Sequence, residues 1–320
     1  MRFLKPGDLL PEGTVSVASV GNFDGVHRGH RLLIDEVVRR ARQRGCASVL
    51  VTFEPHPRRV LSPGMPLELL TTYDEKVRLI EGSEVDYLLC IPFTMEFSRR
   101  SPEDFIRSVM VRQLCAVEWV MGEDHGIGKG RSGEKNFLHT LLCKYHIIPL
   151  TADLLELRKT VVSSTQIRVN IVNGRIVEAV EMLGHPYLIS TERIPGVKVG
   201  SQLGFPTLNF KRPPSQKVLP PPGVYAAELE FKGCIQRGAL YFGDCPTFAD
   251  RTIHFEFHAL NNGETFPEPG EGAWLWLHRF IRKDRSFPTP GELVAQIVED
   301  VKTIRKFFIE EKVNAINQGT

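Results

Sequence analysis

The first half of the chain alternates between two periodicities, and that alternation restricts its fold more than any other feature. Short apolar runs rich in β-branched residues occupy 16–23, 47–53, 87–92 and 117–121. Amphipathic stretches lie between and after them, over 30–44, 73–82, 102–114 and 134–145. In the first of these, Leu32, Leu33, Val37, Val38 and Ala41 form one apolar stripe opposite basic residues, the spacing of a surface helix. Strands alternating with helices predict an α/β domain, a parallel sheet covered by helices on both faces. Such sheets bind ligands at the carboxyl ends of their strands.

The pattern changes after two short helices, predicted over 163–172 and 175–183 and closed by Gly184. From Tyr187 to His278, Gly- and Pro-rich turns separate alternating segments at 223–229, 237–242, 252–260 and 273–277. This predicts an antiparallel β-barrel. A terminal helix follows Pro290, with Leu293, Ile297, Val301, Ile304 and Phe308 on one stripe, and the tail beyond Lys312 is expected to fray. A chain of 320 residues suits two domains, divided near 184–188.

Chemistry concentrates where the first apolar run ends, in Gly21-Asn-Phe-Asp-Gly-Val-His-Arg-Gly-His30. His27 and His30 stand three apart at the predicted start of a helix, so both imidazoles can face one ligand. The helix N-terminus adds backbone N–H groups and a partial positive charge, which favour phosphate. Gly21, Gly25 and Gly29 allow close backbone approach. Phe23 and Asp24 complete the turn. This pattern reads as a nucleotide site built without a Walker lysine, the alternative being a strand-to-helix turn with two surface histidines.

Further segments fall at the same sheet edge. His56 and Pro57 lie in Thr52-Phe-Glu-Pro-His-Pro57, where the histidine reads either as a ligand contact or as a turn residue fixed between prolines. Gly122-Glu-Asp-His-Gly-Ile-Gly-Lys-Gly-Arg-Ser-Gly133 is a glycine-rich basic loop suited to cradling phosphate. Ser163, Ser164 and Thr165 place three hydroxyls at a helix start with Arg168 one turn beyond, suiting both helix capping and a polyphosphate clamp. Together these residues suit nucleotidyl transfer, in which positioning and charge neutralisation do most of the work and no covalent nucleophile is needed.

Composition excludes other classes. A net charge of +2 argues against a nucleic-acid-coating surface, and no apolar run reaches the roughly 18 residues of a membrane span. The N-terminus lacks the pattern of a signal peptide. The six cysteines (46, 90, 115, 143, 234 and 245) form no Cys-x-x-Cys pair, which argues against a disulfide framework and fits a reducing cytoplasm.

These motifs, in this order and spacing, resemble the adenylyltransferase half of the bacterial bifunctional riboflavin kinase/FAD synthetases. The resemblance continues through Gly200-Ser-Gln-Leu-Gly-Phe-Pro-Thr-Leu-Asn209, Pro222-Gly-Val-Tyr225, His254-Phe-Glu-Phe-His258, Phe280-Ile-Arg282 and the final helix. It implies an FMN adenylyltransferase domain over 1–184 and a riboflavin kinase-like barrel over 185–312. Riboflavin, FMN and ATP would be substrates, with Mg²⁺ required, and FAD, ADP and pyrophosphate would be products. No nucleic acid or membrane partner is expected.

On the matching positions, His27 and His30 would stabilise the transferred phosphate, aided by Arg168. Gly21, Phe23, Asp24, Gly29, Ser163, Ser164, Thr165, Gly200 and Gly204 would hold ATP. His56, Pro57 and Asp124 would face the flavin, with Asp124 also near Mg²⁺. Thr207 and Asn209 offer hard oxygen ligands for Mg²⁺, and Glu256 would take the proton from the ribityl hydroxyl.

The chain departs from the family pattern at several places. Asp124-His-Gly-Ile-Gly128 replaces Asp-Phe-Arg-Phe-Gly, leaving the role of His125 open. Thr191 and Ser201 replace Gly and Arg, Tyr241-Phe-Gly-Asp-Cys245 replaces Asn-Ile-Gly-x-Arg, and 261–270 lacks the usual Asp-Phe…Tyr-Gly segment. Two alternatives therefore stand beside the bifunctional reading: a monofunctional FMN adenylyltransferase with an inactive or merely flavin-binding barrel, and a non-catalytic flavin-binding regulator.

Overall fold

The structure is a computed structural model. It describes the chain except residues 66, 123–133, 153–154, 158–159, 197–199, 201–202, 244–253, 262–264 and 319–320, and the side chains of 134–135, 156, 254 and 314–318. Its residues fall into two compact units. One comprises 1–69 and 76–164, and the other 70–75 and 165–320.

The first unit is built on a six-stranded parallel sheet. Its strands are β1 (Arg2–Leu4), β2 (Ser16–Val20), β3 (Ala47–Glu54), β4 (Tyr87–Pro92), β5 (Ala116–Gly122) and β6 (Ile148–Ala152), in the order β1-β4-β3-β2-β5-β6. Strand β2 is buried throughout and β3 up to Thr52 because both sheet faces are covered, as parallel sheets require. Ala18, Val20, Val49, Val51, Leu89 and Ile91 share one cluster with Phe105, Val109, Met110, Leu138 and Leu141.

Those covering residues come from helix α4 (Pro102–Phe105), the π-helical stretch Ile106–Gln113 that continues it, and helix α5 (Glu134–Lys144). Helix α1 (Arg28–Arg44) covers the other face with Leu33, Ile34, Val37, Val38 and Ala41. The stripe expected from sequence is therefore the buried one, except that Leu32 is exposed. Helices α2 (Pro57–Leu61) and α3 (Tyr73–Glu81, counted here from Lys76) and a small hairpin, β7 (Glu156–Leu157) and β8 (Thr160–Val161), complete the connections.

The second unit contains helices α6 (Ser164–Val172, counted from Thr165) and α7 (Ile176–Leu183), the latter closed by Gly184 as expected. A closed antiparallel barrel follows. Its strands are β9 (Tyr187–Ile194), β10 (Leu208–Phe210), β11 (Gly223–Phe231), β12 (Cys234–Gly243), β13 (His254–Ala259) and β14 (Gly272–Lys283). Closure comes from three-residue β10, which pairs with β13 on one side and β9 on the other.

The β11–β12 hairpin turns on Lys232 and Gly233 with φ of 48° and 80°, the two-residue primed turn that matches strand twist. Helix α8 (Pro290–Gln318) lays Ile304 and Phe308 against Val224 and Ala226 on the outside of the wall, beside Tyr241 and Ile281. This corrects the expectation of a frayed tail after Lys312: the helical backbone runs on to Gln318.

Candidate active sites

In the first unit the chain leaves β2 and turns sharply into α1. The turn is strained: Phe23 and Val26, both non-glycine, have φ of 49° and 40°, and such conformations persist only when surrounding packing enforces them. Here the enforcement is burial, since Phe23 is 0 % and Val26 1 % exposed. Gly25 shares the left-handed region with φ of 84°.

The other two glycines answer a different need. A Cβ on Gly21 would meet the Phe23 ring at 3.1 Å, and one on Gly29 would meet the His27 ring at 3.3 Å. The sequence suggested room for a phosphate at both. The structure shows that each first makes room for a side chain of the same turn.

His27 is the N-cap of α1, and its Nδ1 accepts from the backbone N–H of His30 at 3.3 Å. With Nδ1 used as an acceptor, the neutral ring carries its proton on Nε2. The His30 ring stacks on it, with centroids 3.6 Å apart and planes 16° from parallel. The two imidazoles are thus neighbours on one side of the turn.

Burial, then the neighbouring His27 and Lys76, hold the His30 pKa well below its usual 6.5, so this ring is neutral at pH 7. Its Nδ1 is buried and has no partner among the described residues, a group that awaits a hydrogen bond.

Asp24 is buried in the turn, and its backbone carbonyl accepts from Ser164 Oγ at 2.9 Å. The Ser163–Ser164 segment therefore reaches the His27 turn. Thr165 and Arg168 lie in the second unit, on α6. His56 caps α2, accepting through Nδ1 from Arg58 N–H at 3.2 Å, with Pro57 as the first helical residue. This supplies a structural role for His56. Asp124 and His125 lie outside the described residues.

Sequence reading passed over Lys76, on α3. It is 4 % exposed, and its Nζ donates to Thr52 Oγ1, 3.3 Å away at the end of β3. No local signal marks it, because its burial depends on where α3 meets the sheet.

In the barrel, Asn209 of β10 stands directly opposite Glu256 of β13, which stands opposite Tyr241 of β12. Opposed residues in antiparallel pairs point to the same face, so all three share one side of the wall. Thr207 Oγ1 donates to Glu256 Oε2 at 3.2 Å. A hydroxyl that donates to a carboxylate keeps its lone pairs for a hard cation, and with the Asn209 amide oxygen the donor set fits Mg²⁺.

The Gly200 carbonyl accepts from Leu203 and Phe205 N–H, and a Cβ on Gly200 would lie 2.4 Å from the Phe205 carbonyl. Gly204 follows in the left-handed region with φ of 86°. Gly196 went unnoticed in the sequence, yet a Cβ there would lie 2.1 Å from Asn209 Nδ2. The departures also find places: Thr191 donates to the Lys211 carbonyl at 2.7 Å, and Tyr241 OH donates to Asp284 at 3.0 Å. Ser201 and Cys245 lie outside the described residues.

Comparison with known proteins adds three findings. Residues 11–166 match the FAD synthetase family and residues 183–308 the riboflavin kinase family. The bifunctional riboflavin kinase/FMN adenylyltransferase of Buchnera aphidicola subsp. Schizaphis graminum is 32% identical over 92% of this chain and 94% of its own length. That of Escherichia coli K12 is 32% identical over 91% of this chain and 92% of its own.

A crystal structure described as a macrolide-efflux protein from Streptococcus pneumoniae superposes with a TM-score of 0.81 at 24% identity, covering 95% of this chain and 99% of that one. At that identity the likeness concerns the fold. Among the described residues no helix is long and apolar enough to cross a membrane. With both family patterns in sequence and full-length relatives at this identity, the chain belongs to the bifunctional riboflavin kinase/FMN adenylyltransferase family.

Proposed function

We propose that the chain makes FAD in two ATP-dependent steps: phosphorylation of riboflavin by the barrel, assigned to 185–312, and adenylylation of the resulting FMN by the segment 1–184. The match of both families in order along one chain carries this reading. The bifunctional relatives at 32% identity support it.

In the adenylyl transfer, an oxygen of the FMN phosphate attacks the α-phosphorus of ATP. The bond to the bridging oxygen breaks, and pyrophosphate leaves with that oxygen and its electrons. Negative charge grows on the α-phosphoryl oxygens, and fixed donors aimed at those oxygens lower the barrier. His27 supplies Nε2–H, His30 a neutral ring whose Nδ1 has no partner among the described residues, and the N-terminus of α1 its N–H groups. Ser163, Ser164, Thr165 and Arg168 are assigned to the ATP phosphates, and His56, Pro57 and Asp124 to the flavin side.

In the kinase step, Glu256 removes the proton of the terminal ribityl hydroxyl as its oxygen attacks the γ-phosphorus, and ADP leaves. The Thr207 hydroxyl fixes the carboxylate's orientation. Thr207 and Asn209 would hold Mg²⁺, which neutralises phosphate charge when bound.

A cytoplasmic setting is supported by five cysteines that form no disulfide among the described residues. The test is incubation with riboflavin, ATP and Mg²⁺. FAD formation is expected; FAD from supplied FMN alone would leave only the adenylylation half of the reading.

A further inference from the structure

We propose that Lys76 takes a phosphate oxygen of the bound substrates in the first unit, making it a binding residue of the adenylyl-transfer site. The inference rests on the reading of that unit as adenylyl-transferring.

A lysine that is 96% buried ordinarily has a carboxylate or several carbonyls around its ammonium, because an unpaired buried charge is costly. Lys217 in the second unit shows the ordinary case: its Nζ donates to Glu75 at 2.7 Å and to the carbonyls of Leu70 and Leu188, both at 2.6 Å. Lys76 has the same burial and a different shell. Among the described residues its one hydrogen-bond partner is Thr52 Oγ1 at 3.3 Å, so two of its three donors are unused.

The carboxylates of Asp24 and Glu54 lie near enough to act on it electrostatically, but among the described residues no carboxylate pairs with it directly. They balance the charge without occupying the donors.

The position of this ammonium identifies its missing partner. Thr52 Oγ1 in turn donates to the Asn22 carbonyl at 3.3 Å, so Lys76 is tied to the turn that carries Asp24, His27 and His30. The His30 ring lies close enough to feel its charge, and the Nδ1 of that ring is buried with no partner among the described residues. A cation with spare donors beside an imidazole nitrogen with none filled, at the carboxyl end of parallel strands, suits an anionic oxygen. Phosphate is the anion that both substrates bring: the polyphosphate of ATP and the monophosphate of FMN.

Equilibrium binding of pyrophosphate and of FMN to the full chain, measured separately, tests the proposal. The variants are Lys76→Met, which keeps the apolar stem, and Lys76→Arg, which keeps the charge. Lys76→Met is expected to weaken at least one probe roughly 10- to 100-fold, and Lys76→Arg to retain most of the affinity. Loss confined to pyrophosphate assigns the contact to the nucleotide; loss confined to FMN assigns it to the flavin phosphate.

Unchanged affinity for both overturns the proposal. Should Lys76→Met fail to fold, 15N-lysine NMR of wild-type protein decides. The ammonium signal absent from Lys76→Arg must move when pyrophosphate or FMN is added, and a static signal overturns the contact. A wild-type protein that binds both probes but forms no FAD would sink the adenylylation reading while leaving the Lys76 contact standing.

Discussion

Thr207, the residue before β10, meets Glu256 of β13, its hydroxyl donating to the carboxylate at 3.2 Å. The contact joins a metal-ligand type to a base type, and it gives the kinase half of the chain its sharpest test. Glu256→Gln keeps the shape and the hydrogen bond but cannot accept a proton. Riboflavin phosphorylation is expected to fall about 1,000-fold, with FAD formation from supplied FMN unchanged. A kinase rate near wild type would remove Glu256 from the role of base.

His27 has two roles that one substitution separates. As N-cap it accepts from His30 N–H through Nδ1; with Nδ1 so used, its other ring nitrogen is the donor, Nε2–H. Asparagine is also a good N-cap, so His27→Asn keeps the cap and deletes the ring. Adenylylation is expected to fall about 100-fold or more, while stability changes by less than about 1 kcal/mol. Equal losses in FAD formation and melting temperature would mean that the ring serves the fold alone.

These two sites differ in how much of them was legible beforehand. The sheet was readable because each central strand is a short run rich in apolar and β-branched residues and α1 shows a single stripe; the expected 87–92 strand coincides with β4. The shorter strands β1 and β10, of three residues each, are too brief to show a period. The π-helical stretch after Phe105 arises from packing rather than from a residue that announces it. Motif residues such as His27, His30 and Glu256 stood out because their types are rare in such patterns. Lys76 and Gly196 did not, since a buried lysine or a crowded glycine is defined by what folds against it.

Gly196 offers a steric test free of chemistry. Its φ is one that any residue adopts, so alanine is excluded only by space: the new Cβ would fall 2.1 Å from Asn209 Nδ2. Gly196→Ala should therefore displace the Asn209 amide, raising the Mg²⁺ concentration needed for riboflavin phosphorylation several-fold. FAD formation from FMN should keep its magnesium dependence. An unchanged requirement in the kinase assay would detach Asn209 from the metal.

Lys217 and Glu75 form an ion pair with both side chains fully buried. The carboxylate also accepts from Ser190 and Thr72 N–H, at 2.7 and 2.8 Å, and the ammonium lies 4.2 Å from the Tyr187 ring centre. Removing one partner strands the other charge, so Lys217→Met is expected to cost about 3–5 kcal/mol in urea unfolding. Lys217→Met with Glu75→Gln should cost less than the single change. If the double variant is the less stable, the pair adds more than mutual neutralisation.

His278 joins the barrel to the terminal helix. Its Nε2 lies 3.1 Å from Glu228 and its Nδ1 3.1 Å from Glu311 on α8, with Arg237 also paired to Glu228. Burial disfavours the imidazolium, but hydrogen bonds and charge from the two carboxylates outweigh it and raise the pKa from 6.5 to about 9. The folded state thus holds this proton more tightly than the unfolded chain. The stabilisation is complete below pH 6.5 and disappears as pH rises through 9, a change of about 3 kcal/mol. Urea midpoints of the barrel should fall across that window in the wild type and stay flatter in His278→Gln. A wild-type midpoint that is constant from pH 6.5 to 9, or one that rises, would show that the histidine is neutral in the folded protein.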